Sequence, residues 1–158
     1  MSEPSSSRTF PKSTARLFGH PIHPMLVPFP IACFAGTLVT DIAYTATGEV
    51  QWANFSSWLL TAGLIISIFA VIAGATDFLG ERRIRALKHA WIHGIGNAVA
   101  LILSIWNAFV HTHDGYTGVW PTGLTLSAVV VAILVVTGWQ GGSLVYRHGV
   151  AVTPEKLP

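Results

Sequence analysis

The sequence predicts an all-α integral membrane protein, a four-helix bundle running up, down, up and down with both termini in the cytoplasm. Three observations carry that expectation. Hydrophobic residues make up 51% of the 158-residue chain and charged residues only 10%, whereas a soluble domain carries roughly 25% charged residues. Four segments approach or exceed the roughly 20 apolar residues that cross a bilayer. All nine Lys and Arg residues then fall on one side of the membrane, and the excess of positive charge on cytoplasmic loops fixes the orientation.

The elements follow in order. Residues 1–17, which open "MSEPSSSRTFPKST", are rich in Ser and Pro and are expected to form a disordered cytoplasmic tail. The transmembrane domain occupies 18–152, with spans at about 25–47, 54–79, 89–111 and 121–146, and a short tail closes the chain at 153–158. Pro28, Pro30 and Asp41 interrupt the first run, which makes it a poor signal-peptide core. Arg8, Lys12 and Arg16 precede span one, and Arg82, Arg83, Arg85 and Lys88 join spans two and three. Arg147 and Lys156 follow span four. Trp52, Trp58, Trp106 and Trp120 lie near the opposite ends, where an aromatic belt belongs. The expected location is therefore a membrane that borders the cytoplasm, with both termini on the cytoplasmic face.

"GHPIHPMLVPFP", Gly19 to Pro30, leads into span one. Each of His20 and His23 stands directly before a proline, whose ring pushes its predecessor toward extended geometry. Both are expected in a stiff, non-helical lead-in.

Helices in lipid associate through small residues and polar contacts. Span two sets Gly63, Ser67, Ala70, Gly74 and Asp77 on one face by three- and four-residue steps. Span three does the same with His89, His93, Asn97, Ala100, Ser104, Asn107 and His111. A polar stripe of that length is costly against lipid and should face the interior. Gly138 and Gly142 of span four read as a helix-packing face.

Depth follows from the ~1.5 Å rise per helical residue. Asp77 lies roughly 35 Å along span two, at its cytoplasmic end, and His93 is about 6 Å into span three from His89. With His20 and His23 just before span one and His148 just after span four, five histidines and a carboxylate converge on one end. Three readings compete. The cluster binds haem b, with His20, His23, His89, His93 and Asn97 around the cofactor, imidazoles from two helices ligating iron and Arg82, Arg83 or Arg85 near the propionates. Or it binds a first-row transition metal ion through some of His20, His23, Asp77, His89, His93 and His148. Or it binds nothing, and the polar groups pin the helices together. "HTHDG", from His111, with Asp41 and Glu49 could form a small metal site at the outer end, but a solvated loop is the expected state there.

No G-x-S-x-G, phosphate loop or H-E-x-x-H occurs, so a hydrolytic or nucleotide-driven enzyme is not expected; the catalytic set is empty. A nucleic-acid partner is not expected either. The expected partners are the lipid bilayer, a redox protein and a second copy of the chain.

"GHPIHPMLVPFPIA", "AGATDF", "HAWIHGIGN" and "GWQGGSLVYRHGV" together resemble the bacterial predicted-membrane-protein family called domain of unknown function 2231, over roughly Phe18 to Val152. The resemblance implies a four-helix membrane fold and supplies no activity. Related chains sometimes carry a Rieske-type iron–sulphur domain, which implies a redox setting; Cys33, the single cysteine here, could not build one. The matching polar positions are His20, His23, Asp77, His89, His93 and Asn97, while Ser143 stands where the closing motif leads one to expect an acidic residue. The function expected is that of a multi-pass membrane protein with a haem or metal site linked to electron transfer. The alternative is a non-catalytic scaffold subunit.

Overall fold

The computed structural model describes residues 10–112 and 117–152. A two-residue hairpin opens it: β1 (Arg16–Leu17) pairs antiparallel with β2 (His20–Pro21). Phe18 and Gly19 form the turn, with φ of 48° and 85°. Left-handed geometry at both central residues matches the twist of the flanking strands, and Gly19 takes it at no steric cost. The helices are α1 (Ile22–Leu26), α2 (Pro28–Thr47), α3 (Val50–Gly80), α4 (Arg82–Arg85), α5 (Lys88–His111) and α6 (Leu124–Tyr146). A π-type turn, Val119–Gly123, runs into α6.

α1 and α2 are one rod. Val27 keeps helical dihedrals, φ −54° and ψ −36°, and the ladder is interrupted where Pro28 has no N–H to give. His23 is therefore helical, which corrects the expectation of an extended lead-in. The reason is position: Pro24 is the third residue of α1, in the first turn, where a backbone N–H has no intrahelical acceptor and its loss costs nothing. His20 does remain extended, on β2.

Among the described residues four helical stretches are long and apolar enough to cross a membrane: Ile22–Thr47, Val50–Gly80, Lys88–His111 and Val119–Tyr146. α2 packs on α3 and α6, and α5 packs on the same two, which closes a ring of four. Phe34, Leu60, Ala100 and Val130, one from each helix, form its apolar centre. Gly63 makes the α2–α3 approach possible, since a Cβ there would stand 2.8 Å from the Phe34 ring.

The distribution of polarity is inverted relative to a soluble protein. Asp41, Ser56 and Ser104 are 0% exposed, while Trp139 is 73% and Phe109 69% exposed. Apolar surface on that scale is untenable in water and ordinary in hydrocarbon, where helices satisfy their own backbone and gather side-chain polar groups inside. The polar stripe of α5 behaves accordingly: Ala100, Ser104, Asn107 and His111 are buried, and His93 and Asn97 hydrogen-bond toward α6.

Phe10 to Leu17, which composition assigns to the tail, are in place against the helices. Pro11 accepts from the Ala151 N–H at 3.0 Å and Ala15 accepts from the Ile22 N–H at 3.0 Å. Ser13 is 5% exposed. The segments near the two termini thus meet at one end of the bundle, here called the Asp77 end; the other is the Asp41 end. At the Asp77 end the Arg85 guanidinium donates to the Phe78 and Leu79 carbonyls at the close of α3. Glu81 accepts from the Arg83 N–H to cap α4, and the hydrogen bond from the Arg83 guanidinium holds its carboxyl below the usual range.

Cutting Leu60, 2% exposed, to Ala should lower stability by about 2–5 kcal/mol, the usual cost of an aliphatic cavity. Ile65, 53% exposed on the same helix, should cost under about 1 kcal/mol by the same change, because little packing is lost. Unfolding of the full chain in mixed detergent and SDS measures both.

Candidate functional site

The Asp77 end does not gather its histidines around one point. It sorts them into two pairs. His23 and His93 face each other edge-on, with ring centroids 6.0 Å apart and planes at 88°. His89 and His148 lie 5.3 Å apart at 42°, and His89 Nδ1 meets Gln140 Oε1. His20 is exposed on β2, with no ring contact to the other described histidines.

His23 and His93 are held in the same way. His23 Nδ1 lies 2.8 Å from the Ala70 carbonyl of α3, and His93 Nδ1 lies 2.8 Å from the Thr137 carbonyl of α6. A backbone carbonyl only accepts, so each Nδ1 carries the hydrogen and each Nε2 keeps a lone pair when the ring is neutral. No described residue donates to either Nε2. Each ring also rests on a glycine of the helix it bonds. A Cβ on Gly74 would stand 2.9 Å from His23 Cε1, and one on Gly141 would stand 3.1 Å from His93 Cε1. Asn97 braces this side: its amide donates to the His93 carbonyl at 2.7 Å, and Thr137 Oγ1 donates to its Oδ1 at 3.3 Å.

Asp77 does other work. Its carboxylate accepts from Ser13 Oγ at 2.8 and 3.0 Å, from the Thr14 N–H at 2.6 Å and from the Ala15 N–H at 2.7 Å. Successive backbone N–H groups closing on one carboxylate make an anion nest, here filled by the protein's own side chain. The pairing ties the segment before β1 to the end of α3. Among the described residues no three His, Cys, Asp or Glu side chains come together as an ion-binding group.

The Asp41 end holds a cluster that the histidine-led reading of the sequence undervalued. Asp41 of α2 accepts from Ser56 Oγ of α3 at 2.5 Å and from Ser127 Oγ of α6 at 2.6 Å. His111 Nε2 of α5 lies 2.9 Å from Asp41 Oδ1, with both side chains 0% exposed. All four spanning helices therefore meet at one carboxylate. Asn107 Nδ2 donates to Ser127 Oγ at 2.8 Å, Thr40 Oγ1 lies 2.7 Å from Ser56 Oγ, and His111 Nδ1 lies 2.9 Å from the Asn107 carbonyl. His111 rests on Gly123, where a Cβ would stand 2.7 Å from its Cε1. The expectation of a solvated loop fails at His111, because Asp41 supplies the partner that no second histidine supplies. His113 and Asp114 of the same motif lie outside the described residues.

A family model described as a predicted membrane protein, domain of unknown function 2231, matches residues 19–154. The chain belongs to that family. No curated protein and no solved structure matches it. The match runs from the β1–β2 turn past the end of α6, so both polar ends of this DUF2231 chain lie within it.

Of the residues singled out from this DUF2231 sequence, His23, His93 and Asn97 come together, and His89 joins His148 instead. Asp77 is occupied by Ser13 to Ala15, and His20 stands apart. Spacing along α5 revealed its polar face, but Ser56 and Ser127 carried no signal of their own; Asp41, a carboxylate inside an apolar span, was the available pointer. The packing face expected from Gly138 and Gly142 is not formed through Gly138, around which a Cβ meets nothing within 4 Å. The glycine used is Gly141, next to Gly142 and three residues on from Gly138.

Gly74→Ala and Gly141→Ala should each destabilise the protein by about 1–3 kcal/mol, the usual cost of overpacking, and displace one imidazole. Gly138→Ala should be neutral or stabilising by up to about 1 kcal/mol, from helix propensity alone. SDS unfolding gives the energies, and histidine ring NMR shifts report the displacement.

Proposed function

We propose that this is a multi-pass protein of a bacterial inner membrane, with helices alternating in direction and both termini cytoplasmic, that binds a transition metal through His23 and His93 and serves a membrane redox reaction. The single observation that carries the reading is the shared tautomer of the two rings. Both Nδ1–H groups are fixed on carbonyls of neighbouring helices, which leaves two Nε2 lone pairs on imidazoles 6.0 Å apart. Anchoring of the far nitrogen is how ligating histidines are oriented. A transition metal held here would take the Nε2 lone pairs of His23 and His93 and would supply the redox chemistry.

Neutral imidazole is the common ligand of haem iron and of first-row ions, so the shared chemistry is an imidazole-ligated metal. Haem b and a bare ion are the two forms the experiment separates. Asp77 has no part in this version, because its oxygens already accept four groups: the Ser13 hydroxyl, the Thr14 N–H and hydroxyl, and the Ala15 N–H. His89 and His148 lie at the same end. Arg82, Arg83, Arg85 and Lys88 beside them satisfy the positive-inside bias.

A scaffold role is the second reading, and the Asp77 nest favours it: there a carboxylate ties the segment before β1 to the end of α3.

The test is an absorption spectrum of the detergent-purified full chain, oxidised and then dithionite-reduced, with metal analysis of the same sample. The expected result is either α and β bands that sharpen on reduction or about one metal ion per chain. That signal should disappear in His23→Ala and His93→Ala, with helix content by circular dichroism retained, and persist in His148→Ala. A protein with neither chromophore nor bound metal, even after incubation with haem, Cu and Zn, would leave the scaffold reading in place.

A further inference from the structure

The Asp41–His111 pair contains a proton that the surrounding donors and acceptors demand. His111 Nδ1 lies 2.9 Å from the Asn107 carbonyl, which only accepts, so Nδ1 carries hydrogen. His111 Nε2 lies 2.9 Å from Asp41 Oδ1, and a contact of that length between two heteroatoms needs one hydrogen between them. If that hydrogen sits on Nε2, the pair is imidazolium and carboxylate. If it sits on Oδ1, both partners are neutral. The count is the same in either form, and the pair as a whole is uncharged. Without it, a nitrogen lone pair would face an oxygen lone pair at a site 0% exposed, and the carboxylate charge would stand uncompensated inside an apolar bundle.

A second observation points to how that proton comes and goes. Ser127 Oγ gives its only hydrogen to Asp41 Oδ2 at 2.6 Å, so it must accept from Asn107 Nδ2 at 2.8 Å. This directed chain fixes the orientation of the amide and leaves Asn107 Oδ1 buried with no partner among the described residues. Asn107 is 1% exposed. A buried acceptor without a donor carries a desolvation cost that a hydrogen bond from water would remove, and Asn107 lies one helical turn from His111 on the same face of α5.

We propose that Asp41 and His111 form an exchangeable proton-binding site within the membrane-spanning part of the protein, loaded through a water held at Asn107 Oδ1. The step is a simple transfer. Hydronium gives one proton to Nε2 of a neutral imidazole that already carries hydrogen on Nδ1; water remains, the charge of the ion passes to the Asp41–His111 pair, and no electrons move. Loading neutralises the Asp41 charge and closes the tie between α2 and α5. Unloading opens it while Ser56 and Ser127 still hold the carboxylate from α3 and α6. Those two elements present neutral hydroxyls, so no further charge from them competes. Glu49, at the start of α3, is exposed. The site is independent of the metal reading at the Asp77 end.

The test uses the full chain in lipid bilayers, labelled with ¹⁵N-histidine and ¹³C-aspartate, with solid-state NMR from about pH 5 to about pH 10, a range that spans the ordinary histidine titration. The His111 signal is identified by its through-space coupling to the Asp41 carboxyl carbon. The expected result is one transition in which His111 Nε2 and the Asp41 carboxyl shift together at a common midpoint, with Nδ1 protonated throughout. In Asp41→Asn the Nε2 transition should be lost or moved by more than tenfold in proton concentration. Three results in the unaltered chain would overturn the proposal: a proton retained over the whole range, an Nε2 unprotonated at every pH, or midpoints for the two groups more than tenfold apart.

Discussion

A carboxylate in the apolar interior is the interaction on which the arrangement of this protein depends. Asp41 can sit at 0% exposure only because Ser56, Ser127 and His111 reach it from three other helices. In lipid the hydrophobic effect does not distinguish one helix packing from another, so polar groups that must be satisfied take over that task. The net stability from such a buried charge pair is modest, since desolvation offsets much of the attraction. Its weight lies in the alternatives it forbids. Any rotation of α5 or slide of α6 that breaks one contact leaves a buried charge or hydroxyl without a partner.

The same logic recurs in smaller form at three imidazoles. His23, His93 and His111 each direct Nδ1 at a backbone carbonyl and each set the Cε1–Nδ1 edge of the ring against a glycine. The carbonyl fixes the tautomer and the glycine fixes the depth of the ring. His111 then meets a carboxylate with its remaining nitrogen, whereas the Nε2 of His23 and of His93 receives no hydrogen bond from a described residue. One mode of seating thus gives a proton-holding pair at one end and two open nitrogen donors at the other. Asp77 repeats the role of Asp41 with backbone amides as donors, and so ties the segment before the first span to the end of α3.

Much of the fold was legible because its causes are local. Hydropathy over windows the thickness of a membrane located all four spans, and three- and four-residue spacing found the inward face of α5. What escaped were partners distant in sequence. Asp77 is met by Ala15, 62 residues away, from a stretch that composition alone assigns to disorder. Asp41 and His111 are 70 residues apart; the sequence set them together only as a possible outer metal site beside an expected solvated loop, because no local pattern marks a buried histidine–aspartate pair. His23 was misplaced because the rule for residues before proline holds in mid-helix and is void in a first turn. Glycine read as a packing residue was right in kind. At Gly74 and Gly141 it packs an imidazole, which no spacing rule encodes.

The most direct measurement of the central claim is a double-mutant cycle between Asp41 and His111, with Asp41→Ala, His111→Ala and the double variant unfolded reversibly in lipid or detergent. Hydrogen bonds between membrane helices average about 0.6 kcal/mol and reach about 1.7, while breaking a buried charge pair costs about 3–5 kcal/mol. The account predicts a coupling above about 2 kcal/mol. A coupling within about 0.5 kcal/mol of zero, the scatter of independent sites, would contradict it.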